Sequence, residues 1–520
     1  MPTEGTPESP TWLFRCGAFF APAERARHGY LWARWLFLRA LGLVFLSAFY
    51  SLAFQIHGLI GPRGILPAGR YLASLGGASP SLARLWYAPT LLWISASDRA
   101  LTVLLAAGLA GSIALVLNLW PRASLGVCLL AFLSFIGAAQ DFASYQSDGM
   151  LLEAGFLSLF FAPPGLRPRL GAAHPPSPAS LWLLRWEWFR IYFESGVVKL
   201  LSGEPQWRDL TAMDHYYENG PLPTWIGWYT QQLSHRFHAG TALFTLLAEL
   251  GLAWLVFLPR RFRLAGFLIL TPFQIAIIAT ANYAFLNYLV LILGVLLVDD
   301  AALAKLGFRT PPEAPLARPR AWRVAAAAFA LTWVFYATVV AMPGLPVKAL
   351  PGPLLEPAIA LEPFRIANRY GLFAVMTRSR YEIEFQGTRD GATWVAYPFR
   401  YKPQDVRRAP GIYAPYQPRF EWNLWFASLD AWEANPWVVE TEVRLLEGEP
   451  AVLSLFARDP FHGAPPTEVR AVRWQYWFTD RATHAATGAW WRRSLLGSYA
   501  PQVRREADGS IALVEPNGSG

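Results

Sequence analysis

Residues 264–298 read LAGFLILTPFQIAIIATANYAFLNYLVLILGVLLV, without one charged side chain, directly after Arg260, Arg261 and Arg263. A hydrocarbon core roughly 30 Å thick asks for about 20 apolar residues per helix. The stretch therefore predicts two membrane spans, 264–281 and 283–298, joined by a short loop free of Lys and Arg. Working outward, the same measure predicts seven more, at 36–56, 100–119, 124–139, 149–162, 181–201, 241–258 and 322–342. The 149–162 segment is short enough to be re-entrant instead.

Composition agrees: of 520 residues 54% are hydrophobic and 16% charged, an apolar balance unusual for a soluble chain. Long uncharged runs fill 36–342, whereas 362–510 mixes Arg, Glu and Asp with aromatics, which marks a domain boundary. The net charge of +9 comes mainly from Arg, and in a membrane chain such an excess fixes topology rather than binding nucleic acid. Arg15, Arg25, Arg27, Arg34 and Arg39 precede the first span. Arg122, Arg167 with Arg169, the Arg260 cluster, and Lys305, Arg309, Arg318 and Arg320 fall in every second loop after it. Residues 1–11, rich in Pro, Ser, Thr and Glu, lack the basic start of a cleaved signal peptide. Cys16 and Cys128 alone offer no disulfide framework.

The expected fold class is an α-helical polytopic membrane bundle of about nine spans plus a C-terminal β-rich extracytoplasmic domain. Its parts are a cytoplasmic segment 1–35, a multi-span domain 36–342 and an outer domain 343–520. Alternation at Tyr381 to Phe385, the Arg389-Asp390-Gly391 turn and the aromatic run Tyr397 to Tyr401 predict a hairpin. Trp422 to Phe426 and Val472 to Phe478 are expected as further strands.

Several segments resemble the lipase maturation factor family. They include Ile60-Gly61-Pro62-Arg63-Gly64-Ile65-Leu66-Pro67, Asp148 through Glu153 to Leu157, and Trp207-Arg208-Asp209-Leu210-Thr211 running on to His215-Tyr216-Tyr217-Glu218. Tyr370-Gly371-Leu372-Phe373, Tyr401-Lys402-Pro403 and Ala414-Pro415-Tyr416-Gln417-Pro418-Arg419 continue the likeness, so that it spans most of 30–480. The resemblance implies a multi-span protein that helps newly made lipases reach an active, assembled state, with the outer C-terminal region in client contact. It implies an endoplasmic reticulum membrane if the chain is eukaryotic and the cytoplasmic membrane if bacterial, as the Ala, Arg, Pro and Gly content suggests. A shorter likeness, Tyr192-Phe193 to Gly196 with Lys199-Leu200, is to the membrane core of vitamin K-dependent γ-carboxylase and implies Lys199 as a base. The chain beyond Lys199 departs from that pattern.

An ionisable group inside a span costs several kcal/mol unless paired or hydrated, so each is a candidate. Glu187, Arg190 and Glu194, at i, i+3 and i+7, share a helical face on which Arg190 neutralises both carboxylates. This is either an interhelical clamp or part of a reaction site. Lys199 lies on another face, either snorkelling to the outer interface or desolvated as a base. Asp148 is expected to cap the fourth helix, and Glu153 to pair with Arg185 or Arg190. Asp214, His215 and Glu218, with His235 and His238, make only a weak metal pattern, and Arg208 with Asp209 reads as a loop-fixing salt bridge. No metal and no cofactor are expected, since nucleotide-binding and hydrolase signatures are missing.

The favoured reading is a chaperone-like, non-enzymatic assembly factor with membrane lipid and a secreted client as partners. Client contact is expected through Tyr401, Lys402, Tyr416, Gln417 and Arg419, which rigid prolines would present outward. The alternative is a membrane enzyme with Lys199 as base and Tyr192, Glu153 and Arg190 lining its pocket. A transporter would call for repeat symmetry that the sequence lacks.

Overall fold

The computed structural model describes residues 19–20, 29–78, 81–309, 315–317, 319–345 and 350–514. Arg15, Cys16, Arg25, Arg27 and Arg318 lie outside the described residues.

A helix coincides with each of the nine apolar stretches. In chain order they are α1 (Leu31–Ala53), α2 (Asp98–Val116), α3 (Pro121–Ile136), α4 (Gln146–Phe161), α5 (Pro178–Leu201), α6 (His235–Leu250), α7 (Arg260–Thr280), α8 (Leu286–Gly294) and α9 (Ala321–Val340). Five are long and apolar enough to cross a bilayer: α1, α2, α6 with its continuation to Phe257, α7 and α9. Helices α3 and α8 are apolar but shorter, and α4 and α5 carry buried ionisable side chains. Neighbours in sequence pack side by side from α1 through α2, α3 and α4 to α5. Where lipid replaces water, close van der Waals packing holds such helices together. Gly108 of α2 serves this purpose, because a Cβ there would collide with the Phe49 ring of α1.

The described arginines of the alternation pattern gather at one end of the bundle, and several are structural. Arg34 donates to the carbonyls of His174 (2.6 Å), Leu170 (2.7 Å) and Gly171 (3.0 Å), while Arg122 holds the Ala162 carbonyl at 2.8 Å. Arg260 pairs with Asp299 at 2.5 Å, and Asp300 accepts from the Leu31 and Trp32 amides at 2.8 and 2.9 Å, capping the start of α1.

At the other end sits the outer domain, one antiparallel sheet. Its strands are β1 (Arg380–Thr388), β2 (Val395–Ala396), β3 (Glu468–Phe478), β4 (Trp491–Ser498), β5 (Gln502–Arg505) and β6 (Ile511–Val514). The order is β2-β1-β3-β5-β6, with β4 also on β3, and β1 meets β3 in a long register through Ile383↔Arg473. Helices α10 (Arg419–Ala427) and α11 (Trp437–Glu447) pack on this sheet.

Two strand expectations are corrected. Trp422 to Phe426 lies in α10, a helix buried continuously from Arg419 to Leu424 and again at Ala427, so that the aromatic spacing there does not mark a strand with one buried face. The run 397–401 leaves the hairpin after the Tyr397 amide bonds the Phe385 carbonyl at 2.9 Å, since Pro398 has no N–H with which to extend the ladder. Residues 352–359, beyond the expected boundary at 342, still hug α9, with Trp333 donating to the Pro357 carbonyl at 2.7 Å.

Candidate functional site

Buried charge concentrates where the bundle meets the outer domain, in three clusters. In the first, Arg190 of α5 bonds Glu153 of α4, donates to the Asn368 carbonyl at 2.6 Å and lies 3.8 Å from Glu194. Glu153 also accepts from the Asn368 amide (3.0 Å), its side chain (3.1 Å) and the Tyr370 hydroxyl (2.9 Å). Glu194 accepts from the Tyr370 amide at 2.6 Å. Asn368 approaches because residue 149 is glycine, where a Cβ would stand 2.5 Å from the Asn368 amide oxygen. Glu187, on the same face of α5, is fully buried. The clamp expected from α5 alone is thus shared by α4 and the segment leading into the outer domain.

In the second cluster Asp148, in the first turn of α4, takes two bonds from Arg419, 2.8 and 2.6 Å long. Gln55 of the outer end donates to the Gln417 carbonyl at 2.9 Å, and Ser51 accepts from the Gln417 amide at 2.9 Å. Within the outer domain Glu382 pairs with both Arg380 (2.5 Å) and Lys402 (2.8 Å). Glu421 accepts from the amides of Arg400, Tyr401 and Lys402 at 2.9, 2.8 and 2.7 Å. Burial pushes the Glu421 carboxyl up from its ordinary range, against the pull of those amides.

These contacts correct the expected client surface. Lys402, Gln417 and Arg419 are buried: Arg419 pairs with Asp148 across the seam, Gln417 bonds Gln55 and Ser51 there through its backbone, and Lys402 pairs with Glu382 inside the outer domain. Tyr401 and Tyr416 are half-buried and pack on each other with ring centroids 5.3 Å apart.

The third cluster surrounds Lys199, which is 1% exposed and does not snorkel. Its ammonium lies 2.9 Å from Glu249 of α6, 3.0 Å from the Leu372 carbonyl and 3.4 Å from the Ser195 carbonyl, with the Trp207 ring centroid at 5.0 Å. Three acceptors around three N–H donors are the surroundings of an ammonium and not of a base with a free lone pair. Lys199 and Tyr192 border an apolar cavity of about 510 Å³ between α5, α6, α7 and α8. Glu153 and Arg190 belong to the first cluster instead, so the four residues of the enzymatic alternative do not share one pocket.

In the outer loop Trp207 donates to the Phe373 carbonyl at 3.0 Å. Arg208 reaches the Leu200 carbonyl at 2.7 Å and forms no salt bridge with exposed Asp209. Asp214 bonds His235 at 2.9 Å, His215 is exposed, and Glu218 accepts from the Phe478 amide at 2.6 Å. Burial raises the Glu218 carboxyl. Among the described residues no three such groups gather as metal ligands.

Sequence reading missed Glu249, Asn368 and Arg380. Glu249 left a signal, being the lone carboxylate of an otherwise apolar span. Asn368 lies two residues before a quoted family segment, and nothing local distinguishes Arg380.

The transmembrane domain of lipase maturation factors matches residues 32–305, and the C-terminal domain of the same factors matches 366–501. Lipase maturation factor 1 of Bos taurus is 34% identical, covering 93% of this chain and 91% of its own length. Lipase maturation factor 2 of Homo sapiens is 33% identical over 90% of this chain and 82% of its own, and lipase maturation factor 1 of Mus musculus 32% over 93% and 89%. No solved structure matches the chain. With both halves matched in order and nine-tenths of the chain aligned, this integral membrane protein belongs to the lipase maturation factor family.

Proposed function

We propose that the chain is a membrane-embedded, chaperone-like maturation factor for a secreted lipase, working by contact and without a chemical step. The observation that carries this reading is the kinship over nine-tenths of the chain to proteins named for lipase maturation. A physical argument supports the contact mechanism: the seam ties the outer domain to the bundle through the buried Asp148–Arg419 ion pair and the buried hydrogen bonds of Glu153, Arg190 and Glu194 to residues 368–370, making a rigid platform next to the membrane. With the expected surface buried, client contact falls to the exposed face and open edge of β4, where Leu495 and Leu496 are 51% and 50% exposed. An unpaired strand edge takes up extended segments of incompletely folded chains.

Nine crossings are part of the proposal. Their support is that α1 to α9 run between the arginine-rich end and the outer-domain end; with the arginine-rich end in the cytoplasm, the proposal has the outer domain in the periplasm or lumen. The membrane is the cytoplasmic one in a bacterium and the endoplasmic reticulum in a eukaryote.

The cavity beside Lys199 favours one rival, a membrane enzyme. Both readings are tested by secreted lipase activity in a deletion background. Lys199→Met with Glu249→Gln removes both charges of the pair together, which spares the fold the cost of an unpaired one. A maturation factor retains activity in that variant and loses it in Leu495→Asp with Leu496→Asp. The opposite pattern establishes the enzyme.

A further inference from the structure

The cavity bordered by Lys199 and Tyr192 has features that neither the family nor the maturation role explains. Its volume, about 510 Å³, lies within the roughly 300 to 1,000 Å³ of small-molecule sites. Its mouth is lateral. Helices α6 and α7 each pack on residues 252–257, the continuation of α6, more than along one another, meeting at the Phe244–Phe273 ring contact, 5.4 Å between centroids. Phe237, Phe244 and Ile269 of the lining are 42%, 38% and 39% exposed on these two membrane helices. An occupant therefore enters from the lipid phase.

The polar groups of the wall define its head. Lys199 and Glu249 stand 2.9 Å apart and cancel each other's charge, which disfavours a charged head, while Glu249 Oε2 has no hydrogen-bond partner among the described residues and adds an acceptor to the wall. Gln274 of α7, 7% exposed, donates through Nε2 to the Tyr192 hydroxyl at 2.8 Å. Its Oε1 has no partner among the described residues, an orphaned acceptor in an apolar wall. Tyr192, having accepted that bond, keeps its own proton to give. Donor and acceptor thus stand side by side, the complement of an uncharged hydroxyl.

We propose that this cavity binds a single-chain lipid with a small uncharged hydroxyl head, of the monoacylglycerol class, its acyl chain lying between α6 and α7. The test uses the full-length protein in detergent and a monoacylglycerol with a photoreactive diazirine in its chain, the labelled peptides being mapped by mass spectrometry. Expected are saturable labels on α6 and α7, displaced by unlabelled monoacylglycerol and at least about tenfold less well by lysophosphatidic acid or the matching alkane. Gln274→Leu should weaken binding about three- to tenfold, the effect of one neutral hydrogen bond. Ala276→Trp, on the exposed side of α7 at the mouth, should block labelling and carries the test should Gln274→Leu not fold. Unsaturable labelling, labels confined to other helices, equal competition by lysophosphatidic acid, or indifference to the folded variants would each overturn the proposal.

Discussion

Replacing Arg419 by Ala leaves the Asp148 carboxylate buried without its counter-charge, and the outer domain should come loose from the bundle as a result. Both residues are 1% exposed. Arg419 gives Asp148 two short bonds, gives the Phe142 carbonyl a third at 2.9 Å, and lies over the Tyr145 ring at 5.5 Å. Removing one member of a buried pair costs about 3 to 5 kcal/mol. For a domain of this size, at roughly 3 °C per kcal/mol, the outer-domain melting step should fall by about 10 °C. Asp148→Leu alone should do comparable damage, by stranding the guanidinium. Combined as Arg419→Ala with Asp148→Leu, the two should cost much less than their sum, since no charge is left unpaired. The assay is thermal unfolding of the four proteins in one detergent, followed by tryptophan fluorescence and by proteolytic release of the outer domain. Single variants within about 2 °C of the parent, or strictly additive losses, would refute the idea that this pair docks the domain.

Two further outcomes are expected. Burial holds the Glu442 carboxyl of α11 well above its ordinary value of 4.5, so the folded chain keeps a proton that the unfolded chain has shed. Stability should then fall as pH rises from 4.5 through the raised value; Glu442→Gln should stabilise the outer domain at pH 8, gain nothing at pH 4, and flatten the melting temperature against pH. For orientation, in a Cys16→Ser background, cysteine at exposed Asp390 should react with an impermeant maleimide in sealed right-side-out vesicles, and cysteine at exposed Arg167 only after permeabilisation. The reverse pattern would invert the proposed topology.

The positions of the membrane helices were legible because a bilayer imposes one length on every span, and an uncharged run such as 264–298 has little else to become. Helical spacing alone puts Glu187, Arg190 and Glu194 on one face, yet of the two carboxylates only Glu194 lies within ion-pair reach of Arg190, and Glu187 has no hydrogen-bond partner among the described residues. Partners from elsewhere in the chain were not legible: Asn368 stands 215 residues from the Glu153 it bonds, and no local pattern encodes a contact of that range. Arg419 misled for a related reason. A proline-rich stretch of aromatic and cationic residues looks like surface, and its burial depends on an acidic residue at the head of α4 that sequence assigned to capping. Lys199 looked free to reach the interface because its own helix offers no carboxylate on that face; Glu249 arrives from α6.

The seam also sets a timetable for synthesis. Asp148 is made 271 residues before Arg419, and at roughly 5 to 20 residues per second the ribosome needs about 14 to 54 s to cover that distance. During the interval Asp148 has no counter-ion, whereas Glu153 already has Arg190 and waits only for the bonds from Asn368 and Tyr370. Until residue 419 arrives, Asp148 has to be hydrated or protonated, since an unpaired carboxylate is costly to bury. A ribosome that stalls, or a stop codon before residue 419, leaves a membrane protein with an exposed acidic wound, the kind of half-made product that quality-control proteases are placed to find.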